Sequence, residues 1–495
     1  MVAVLTGPLT AMPEPKETIL ITGATGYIGG RLMRRLQATD RKLRCLTRRP
    51  QVLAGKVTAG TEIMVGDLLD PESLVVAMRG VHTAYYLVHS MDDSRDFQEL
   101  DRQAAVNFAH AARDADVRRI IYLGGLGGGE DLSEHLASRH EVGRILRTSG
   151  VATIELRASI VIGPGSASFE TVRALVEGLP AIPAPSWVKT AAQPIAVEDV
   201  IEYLLAASTL KLTTSAVFEI GGGDQTSYAE VMREYARHRK LRRPTIRVPL
   251  FALGASRLLL GLLTPRYGRI AGAMVDSLRN ETIVRDSAAH EEFAIRPRGL
   301  TEAIESALAS EDREFAGRRW SESLPSRPTP RFGGIAFGRR IVSSRVVRVN
   351  RSANHAFVPI QNIGGHTGWY ALDWFWRLRG FVDERRGGIG LRRGRRHPHE
   401  LRPGDPVDFW RVERLEPGCR LLLVAEMRIP GRLWLDFDVT PDADGAQIRQ
   451  TTIFDPAGYL GLAYWYLLYP VHSRIFGAML RGLQRASLGT PVISG

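Results

Sequence analysis

Cysteine and lysine are scarce in this chain of 495 residues. The two cysteines, Cys45 and Cys419, are too few for a disulfide framework or a thiolate zinc site, and such scarcity fits a reducing cytosol. Only six of the 65 basic residues are lysines, and none follows Lys240. We interpret this skew first as codon usage and second as a need for forked guanidinium donors.

The sequence also lacks a hydrophobic run of the ~20 residues that a membrane-spanning helix needs. The two apolar stretches, Leu250–Thr264 and Ala457–Val471, are shorter, and Pro470 interrupts the second. Each predicts a buried helix, with a position on a membrane surface as the alternative. The first residues have neither the charged start nor the apolar core of a signal peptide. We therefore expect a cytoplasmic protein, with peripheral contact with an inner membrane as the alternative.

Positive charge is concentrated in the last third of the chain. The formal net charge is +12, and Ser321–Gly495 holds 25 basic and 15 acidic residues, a difference of +10. The same segment holds six of the eight tryptophans. The length allows two or three domains, and this asymmetry bears on partners and solubility rather than on fold.

Short apolar runs alternate with helical patterns along the first half of the chain. This alternation predicts an α/β fold, a Rossmann-like doubly wound parallel sheet. The predicted strands are Glu17–Gly23, Leu43–Thr47, Glu62–Val65, Thr83–Val88, Arg119–Leu123 and Val151–Leu156. The predicted helices are Gly26–Gln37, Pro71–Met78, Phe97–Asp114 and Ser133–Thr148.

The joint between the first strand and the first helix reads TGATGYIGG. Gly23 allows a tight turn, Gly26 lets the backbone approach a pyrophosphate, and Gly29 lets the helix pack on the strand. The free N–H groups of the helix N-terminus would bind the phosphates. The motif therefore predicts dinucleotide binding, with contacts from Thr22, Gly23, Thr25, Gly26, Tyr27, Ile28 and Gly29.

The residues that follow the second strand bear on the choice of cofactor. An acidic residue there would bind the ribose 2′-hydroxyl of NAD, whereas Arg48 and Arg49 suit the 2′-phosphate of NADP. The alternative is that both arginines are solvated. We therefore predict NADP(H) in preference to NAD(H). The cofactor would also contact residues after the third and fourth strands, namely Asp67, Leu68, Val88 and His89.

These features resemble the short-chain dehydrogenase/reductase superfamily in its extended, NmrA-like form. The strings YYLVHSM, HLASRHEVG and LRASIVIGPGSASFE resemble an atypical subgroup of uncharacterised bacterial NAD(P)-binding proteins. Members of the superfamily ordinarily use a Ser and a Tyr-x-x-x-Lys pair for proton transfer. Here Gly124 or Gly125 stands in place of the Ser, and His135 and Arg139 stand in place of the Tyr and Lys. All three usual catalytic positions have therefore changed.

The replaced positions leave few candidates for acid–base chemistry. His135 could act as a general acid, since an unperturbed histidine has a pKa of ~6.5. The alternative places it as a capping or surface residue. His89 and Ser90 are alternative proton handlers, and Arg139 could hold a ribose or phosphate but could not act as a base. His397 and His399 lack carboxylate or Cys partners at metal-ligand spacing, so we predict no metal site.

The resemblance extends into the last third, where the family carries a domain of unknown function similar to the START/SRPBCC ligand-binding fold. Strand patterns and a long closing helix from Tyr459 to Leu483 fit its α+β helix-grip arrangement. The strand candidates are Ile341–Asn350, His355–Pro359, Pro406–Glu413, Arg420–Ile429, Leu433–Thr440 and Ala446–Phe454, and Trp369–Leu378 is a helix candidate. Such a fold encloses an apolar cavity, which predicts a hydrophobic small-molecule ligand.

The predicted domain organisation has five parts. These are a disordered tail over 1–16, an atypical SDR domain over 17–316 with a substrate-side extension from about 158, a linker over 317–335, an SRPBCC/START-like domain over 336–486, and a tail over 487–495.

Arg377–Arg402 is the most basic segment, with nine Arg and two His. A solvated hairpin, an anionic membrane or phosphate-bearing ligand, the first domain's cofactor, and nucleic acid are four interpretations of it. We expect no nucleic-acid partner, because no recognised module is present and the aromatic residues are not interleaved for stacking.

Three functions remain open from the sequence. The first is an NADP(H)-dependent oxidoreductase of atypical mechanism acting on a hydrophobic carbonyl or enone. The second is a non-catalytic NADP(H)-sensing regulator, and the third is a lipid-handling scaffold that keeps the nucleotide as a structural element. The sequence leaves the oligomeric state open.

Overall fold

The chain divides into two compact units, Met1–Leu308 and Ala309–Gly495. The computed structural model describes residues 17–54, 56–89, 97–128, 131–184, 186–247, 280–317, 332–337, 340–371, 373–385, 387, 395–397, 400–442 and 444–489. The predicted tail over 1–16, the apolar stretch Leu250–Thr264, most of the predicted linker and much of Arg377–Arg402 lie outside these residues.

The first unit is built on alternating strands and helices, as the sequence predicts. In chain order they are β1 Thr18–Thr22, α1 Tyr27–Leu36, β2 Lys42–Thr47, β3 Thr61–Val65, α2 Pro71–Met78, β4 Val81–Tyr86, α3 Phe97–Asp114, β5 Arg119–Gly125, α4 Glu134–Arg147 and β6 Ala152–Ala158. The predicted strands and helices thus agree with the structure to within a few residues at each end.

The remainder of the first unit forms its extension. Its elements are β7 Val161–Ile162, α5 Ala167–Gly178, β8 Ile182–Ala184, β9 Ala191–Ala192, β10 Ile195–Ala196, α6 Val197–Ala207, β11 Ala216–Ile220, β12 Thr226–Ser227, α7 Tyr228–His238, β13 Thr245–Arg247, α8 Ala288–Glu292 and α9 Leu300–Gly317, the last of which runs past the unit boundary. Ser227 and Glu230 form a capping box at the start of α7, as their spacing suggests.

The central sheet of the first unit is parallel throughout, in the order β11-β6-β5-β4-β1-β2-β3. The strand order reverses between β1 and β4, so the carboxyl ends of these two strands flank the crevice in which such sheets bind ligands. The predicted doubly wound Rossmann-like fold is confirmed. Tyr85 and Tyr86 on β4 are fully buried packing residues.

The second unit is an α+β domain around one antiparallel sheet. Its elements are β14 Ile335–Phe337, β15 Arg340–Val349, α10 Ala353–Gln361, α11 Asp373–Arg385, β16 Pro406–Val407, β17 Trp410–Glu416, β18 Arg420–Ala425, β19 Gly431–Asp442, β20 Gly445–Pro456 and α12 Gly458–Ser487. The strand order is β14-β15-β20-β19-β18-β17-β16. One face of the sheet packs with α12 around an apolar core, so the helix-grip prediction is confirmed.

Three sequence predictions for the second unit need correction. His355–Pro359, predicted as strand, lies within helix α10, where Ala356, Phe357 and Ile360 are buried at helical spacing. A short apolar run does not distinguish a helix from a strand by itself. The predicted strand Pro406–Glu413 is interrupted at Asp408, whose φ is 55°. The predicted helix Trp369–Leu378 begins only at Asp373.

The apolar stretch Ala457–Val471 lies in the first half of α12, with Trp465 and Tyr469 buried. Leu460 and Leu467 on the same stretch are 79% and 78% exposed. This part of the helix therefore has one buried side and one exposed apolar side. Peripheral membrane contact stays a prediction. Among the described residues, no helix has the length and apolar character needed to cross a bilayer.

Candidate functional site

The glycine-rich turn after β1 has the geometry that the motif predicts. Gly23 has a φ of 74°, and a Cβ on it would lie 2.5 Å from the carbonyl oxygen of Leu87. A Cβ on Gly29 would collide with the Gly23 carbonyl, so only glycine lets α1 pack this closely against the turn. The turn therefore lies directly against the residues that follow β4.

The start of α1 leaves its first backbone N–H groups open. Gly26 is the N-cap and supplies no side-chain cap, and Thr25 and Gly26 are exposed while Tyr27 and Ile28 are half-buried. Because a helix N-terminus with open donors favours an anion, this cradle fits a nucleotide pyrophosphate.

A second loop is fixed beside this cradle. Arg31 donates a hydrogen bond from Nη2 to the carbonyl oxygen of Pro164 at 3.0 Å, and its guanidinium lies 4.2 Å from the centre of the Tyr27 ring. A Cβ on Gly163 would strike the Tyr27 hydroxyl. The loop around Pro164 thus contacts the first turn of α1.

Two of the predicted cofactor contacts have other partners. The Thr22 hydroxyl donates to the Tyr85 carbonyl at 2.9 Å and accepts from the Leu87 N–H at 3.3 Å, so it joins β1 to the end of β4. Leu68 is buried, and its carbonyl accepts a hydrogen bond from Asn107 Nδ2 at 3.0 Å. The side chain of Thr22 therefore holds the crevice together.

Arg48, Arg49 and Asp67 lie at the carboxyl ends of β2 and β3. Arg48 Nη1 is 3.7 Å from Asp67 Oδ2, and the two side chains are 73% and 38% exposed. Asp67 also accepts a hydrogen bond from the Leu69 N–H at 3.1 Å. Arg49 is exposed, and its backbone N–H donates to the Thr47 hydroxyl. Both guanidinium groups are therefore accessible to an anion at this edge.

His89 and His135, two sequence candidates separated by 46 residues, are in contact. His89 Nε2 is 3.1 Å from His135 Nδ1, and the ring centres are 4.6 Å apart. On its other side, His89 Nδ1 is 2.8 Å from Asp101 Oδ2. We call Asp101, His89 and His135 the histidine chain.

Each member of the histidine chain is placed by a separate element. His89 follows β4, Asp101 lies in the second turn of α3, and His135 lies in the first turn of α4. The α4 N-cap is Ser133, whose hydroxyl accepts from the Leu136 N–H at 3.3 Å. His135 is therefore not the capping residue, and its imidazole is available to the chain.

Hydrogen bonding sets the direction of the histidine chain. An ionised carboxylate only accepts, so His89 carries its proton on Nδ1 and offers the lone pair of Nε2. His135 then donates from Nδ1, which leaves its Nε2 as an acceptor with no partner among the described residues. The chain ends in a basic nitrogen.

Burial keeps both imidazoles neutral. The pKa of His135 falls to about 3, first because the ring is desolvated and then because His89 and Arg139 lie nearby. Desolvation also lowers the pKa of His89, although the hydrogen bond to Asp101 opposes this shift. Both histidines are thus unprotonated at neutral pH.

Arg139 is bonded to the backbone of β5. Its guanidinium donates from Nη2 to the Leu123 carbonyl, and a Cβ on Gly125 would lie 3.3 Å from Arg139 Cδ and 2.9 Å from a methyl carbon of Leu136. At Gly125, one of the two positions that stand in place of the usual Ser, a side chain would therefore contact Leu136 and Arg139. The proposed ribose or phosphate contact of Arg139 stays a prediction.

Ser90 lies outside the described residues, and Val88 is half-buried beside His89. Where the structure describes the chain, no group of three or more His, Cys, Asp or Glu is arranged to hold a metal ion.

Sequence analysis missed Asp101 and Ser138. Asp101 is 3% exposed and shares the buried stripe of α3 with Ala104, Ala105 and Phe108. A carboxylate at the core-facing position of an amphipathic helix was the available signal, since buried acids need partners. The buried hydroxyl of Ser138 donates to Asp101 Oδ2 at 3.3 Å and helps to hold the carboxylate.

Each of the two units contains a segment that matches a known protein family. Residues 15–243 match the NmrA-like family, and residues 337–479 match a protein family of unknown function, DUF2867.

Two curated proteins and one solved structure are similar to parts of the chain. Sterol demethylase protein B of Methylococcus capsulatus is 32% identical over 114 residues, which are 22% of this chain and 35% of that protein. Ceramide reductase of Caulobacter vibrioides is 25% identical over 238 residues, 48% of this chain and 75% of that protein. The chain therefore spans about a third of the length of sterol demethylase protein B. The structure of Citrobacter sp. triphenylmethane reductase complexed with NADP(H) is 18% identical, with a TM-score of 0.49, covering 58% of this chain and 99% of that one.

Proposed function

We propose that the first unit is an NAD(P)-binding domain of the NmrA-like type within the short-chain dehydrogenase/reductase superfamily, and that it is an NADP(H)-dependent oxidoreductase acting on a hydrophobic substrate. The histidine chain would perform the proton transfer that a Tyr and Lys ordinarily perform. The second unit would bind or present the apolar molecule.

The observation that carries this proposal is the continuous hydrogen bonding from Asp101 through His89 to His135. His89, its middle member, follows two residues after Leu87, whose carbonyl oxygen lies against Gly23 of the glycine-rich turn. A bound nicotinamide cofactor would accept or donate a hydride. The protein's part is to move one proton at His135 Nε2.

The neutral chain suits proton uptake. When His135 Nε2 accepts a proton from a substrate hydroxyl, its Nδ1 proton can move to His89 Nε2, and the Nδ1 proton of His89 toward Asp101. The positive charge is then shared with a carboxylate rather than held on one buried ring. In the reverse direction the same nitrogen returns the proton to the oxygen of a reduced carbonyl.

A hydrophobic substrate is favoured by the names of two relatives. Ceramide reductase and sterol demethylase protein B are both named for apolar lipids, and the first covers most of its own length in the match. The second unit adds a large apolar interior between its sheet and α12. We therefore propose a lipid-like alcohol or carbonyl as substrate.

The test of catalysis uses the full-length protein, reduced-nicotinamide absorbance and a panel of apolar alcohols and carbonyls. We expect hydride transfer in the wild type and a loss of about 10²- to 10⁴-fold in His135→Ala, the usual contribution of a general acid–base group. His110→Ala is the matched control, since His110 is exposed on α3. Turnover that survives His135→Ala unchanged would refute the proton-transfer role.

We propose NADP(H) as the cofactor because two exposed arginines follow β2 where a 2′-phosphate would lie. In Arg48→Ala/Arg49→Ala we expect the preference for NADPH over NADH to fall about tenfold or more, since each charge-assisted hydrogen bond contributes ~1.5–3 kcal/mol. Nucleotide titration measures the ratio. Arg35→Ala, an exposed arginine on α1, is the control. An unchanged ratio would show that the pair is merely solvated.

A second candidate is a non-catalytic NADP(H)-sensing regulator. It is favoured by the loss of the usual catalytic Ser, since Gly124 or Gly125 stands in its place. Tight NADPH binding without turnover on any apolar compound would support this candidate over the enzyme. A lipid-handling scaffold would instead bind apolar ligands with an affinity that does not depend on the nucleotide.

A further inference from the structure

The helix-facing side of the second unit's sheet has a polar centre in an apolar surface. On β20 the side chains that face α12 alternate along the strand, and Ile448 and Phe454 belong to the core there. Between them, on the same face, lie Gln450 and Thr452, both 0% exposed. Their neighbours on β19 are Phe437 and Leu435.

Both polar side chains lack hydrogen-bond partners. The Oε1 and Nε2 atoms of Gln450 and the Oγ1 atom of Thr452 are buried and bonded to nothing in the part of the chain that the structure describes. A buried polar group that has lost its hydrogen bonds to water and gained none in return destabilises the fold. Leucine and valine would fill the same positions without that cost, so the polarity serves something other than the stability of the ligand-free fold.

The positively charged side chain of Arg345 belongs to the neighbouring strand, β15. Arg345 on β15 is the register partner of Gln450, and Ser343 is the partner of Thr452. Arg345 faces the helix, because its Nη2 donates to Ser473 Oγ at 2.9 Å. Its other contact is a long hydrogen bond from Nη1 to Ser343 Oγ at 3.5 Å.

Arg345 has no carboxylate partner among the described residues, since no acidic side chain lies within 4.0 Å. Burial lowers the pKa of Arg345, and the nearby Tyr469 phenol offsets this shift only in part. By contrast, Arg420 on β18 is paired with both carboxylate oxygens of Asp436. Arg345 is thus a half-buried positive charge that lacks its anion.

We propose that Ser343, Arg345, Gln450 and Thr452, here called the inner polar cluster, bind the carboxylate head group of an amphipathic molecule whose apolar body lies among the core side chains of the second unit. Arg345 pairs with the carboxylate, and Gln450 and Thr452 supply further hydrogen bonds to the head group. One cation and neutral donors match a singly charged anion. The inference deepens the proposed role of the second unit as a binder of apolar molecules and rests on it.

The test is a fluorescence titration of the full-length protein with cis-parinaric acid and with its methyl ester. We expect the wild type to bind the acid more tightly than the ester. In Arg345→Gln the affinity for the acid should fall about tenfold to a hundredfold, and the affinity for the ester should stay within about twofold. Arg348→Gln is the matched control, because Arg348 lies on the same strand with its side chain 59% exposed.

The outcomes separate the two proposals. If both ligands bind and Arg345→Gln changes neither affinity, the carboxylate site is wrong while the apolar binding role holds. If neither ligand binds, both proposals fail.

Thermal unfolding of Gln450→Leu without ligand gives an independent readout. We expect an unchanged or raised Tm together with weaker binding of the acid, because the substitution removes an unsatisfied amide. A lowered Tm would mean that the amide is satisfied within the fold, which would overturn the proposal.

Discussion

Each unit buries one group of polar side chains, and the two groups are bonded in opposite ways. In the first unit the buried carboxylate of Asp101 is bonded to His89 and Ser138, and His89 is bonded to His135. In the second unit Gln450 and Thr452 are as deeply buried but make no side-chain hydrogen bonds. In the first group the side chains are hydrogen-bonded to one another, and only His135 Nε2 is left without a partner among the described residues. In the second group the polar side-chain atoms of both residues are without partners there.

This difference bears on what each group does. A connected chain fixes the tautomer of each ring, and only its terminal atom remains to exchange a proton. An open group costs stability until a partner supplies the missing hydrogen bonds. Proton transfer therefore suits the first unit, and recognition of a polar head group suits the second.

The largest effect on activity is expected from a substitution that reverses the direction of the hydrogen bonds in the histidine chain. In Asp101→Asn the side-chain amide can donate to His89 Nδ1, which moves the His89 proton to Nε2 and turns His135 Nε2 from an acceptor into a donor. We expect kcat/KM for hydride transfer to fall about 10²- to 10⁴-fold, with the fold intact. Steady-state kinetics and circular dichroism measure the two.

The control for this substitution lies on the same helix. Asp114 is exposed and pairs with its neighbour Arg113 at 3.2 Å. Asp114→Asn should keep wild-type activity. Equal activities of Asp101→Asn and Asp114→Asn would break the comparison, because the connected chain would then be only structural.

Sequence patterns predicted most of the fold because the periods of the first unit are regular. The helix Phe97–Asp114 and the turn at Gly23 follow directly from apolar spacing and backbone sterics. The second unit is less predictable, since its segments are short. His355–Pro359 contains too few residues to show whether the period is that of a helix or a strand.

The sequence predicted two of the residues of the candidate site but not the hydrogen bonds that join them. His89 and His135 were candidates because of their positions in the α/β pattern, whereas their contact at 3.1 Å depends on how β4 and α4 pack. Asp101 was hidden because a lone acid in a helix is ordinarily solvated. The pairing of Arg345 with Gln450 depends on strand register, which the sequence does not specify here.

An intermediate effect is expected in the pH dependence of stability. The pKa of His135 is about 3 in the folded protein, and an unfolded histidine has a pKa of ~6.5. The unfolded chain therefore binds more protons between these values, so the free energy of unfolding decreases as pH falls from ~6.5 toward ~3. At pH 5 the loss from His135 is about 2 kcal/mol.

Urea unfolding at pH 7 and pH 5 measures this loss. His89 shifts in the same direction, so the wild-type difference should exceed the contribution of His135 alone. His135→Gln should reduce the difference by about 2 kcal/mol, whereas His110→Gln, on the exposed face of α3, should leave it unchanged. Equal pH dependence in the two variants would mean that His135 is not desolvated, and the connected chain would then be open to water.

The smallest effect comes from two adjacent threonines on β20 that face opposite sides of the sheet. The Thr451 hydroxyl lies 3.1 Å from Ser344 Oγ, and the Thr452 hydroxyl has no partner among the described residues. Thr451→Val should therefore lower the free energy of unfolding by about 1 kcal/mol, whereas Thr452→Val should leave it unchanged or raise it slightly. Chemical denaturation of the two variants without ligand gives both values under the same conditions. A loss of similar size in both would show that Thr452 is bonded as well as Thr451, and the contrast between the connected histidine chain and the open side chains of Gln450 and Thr452 would then fail at its most direct point.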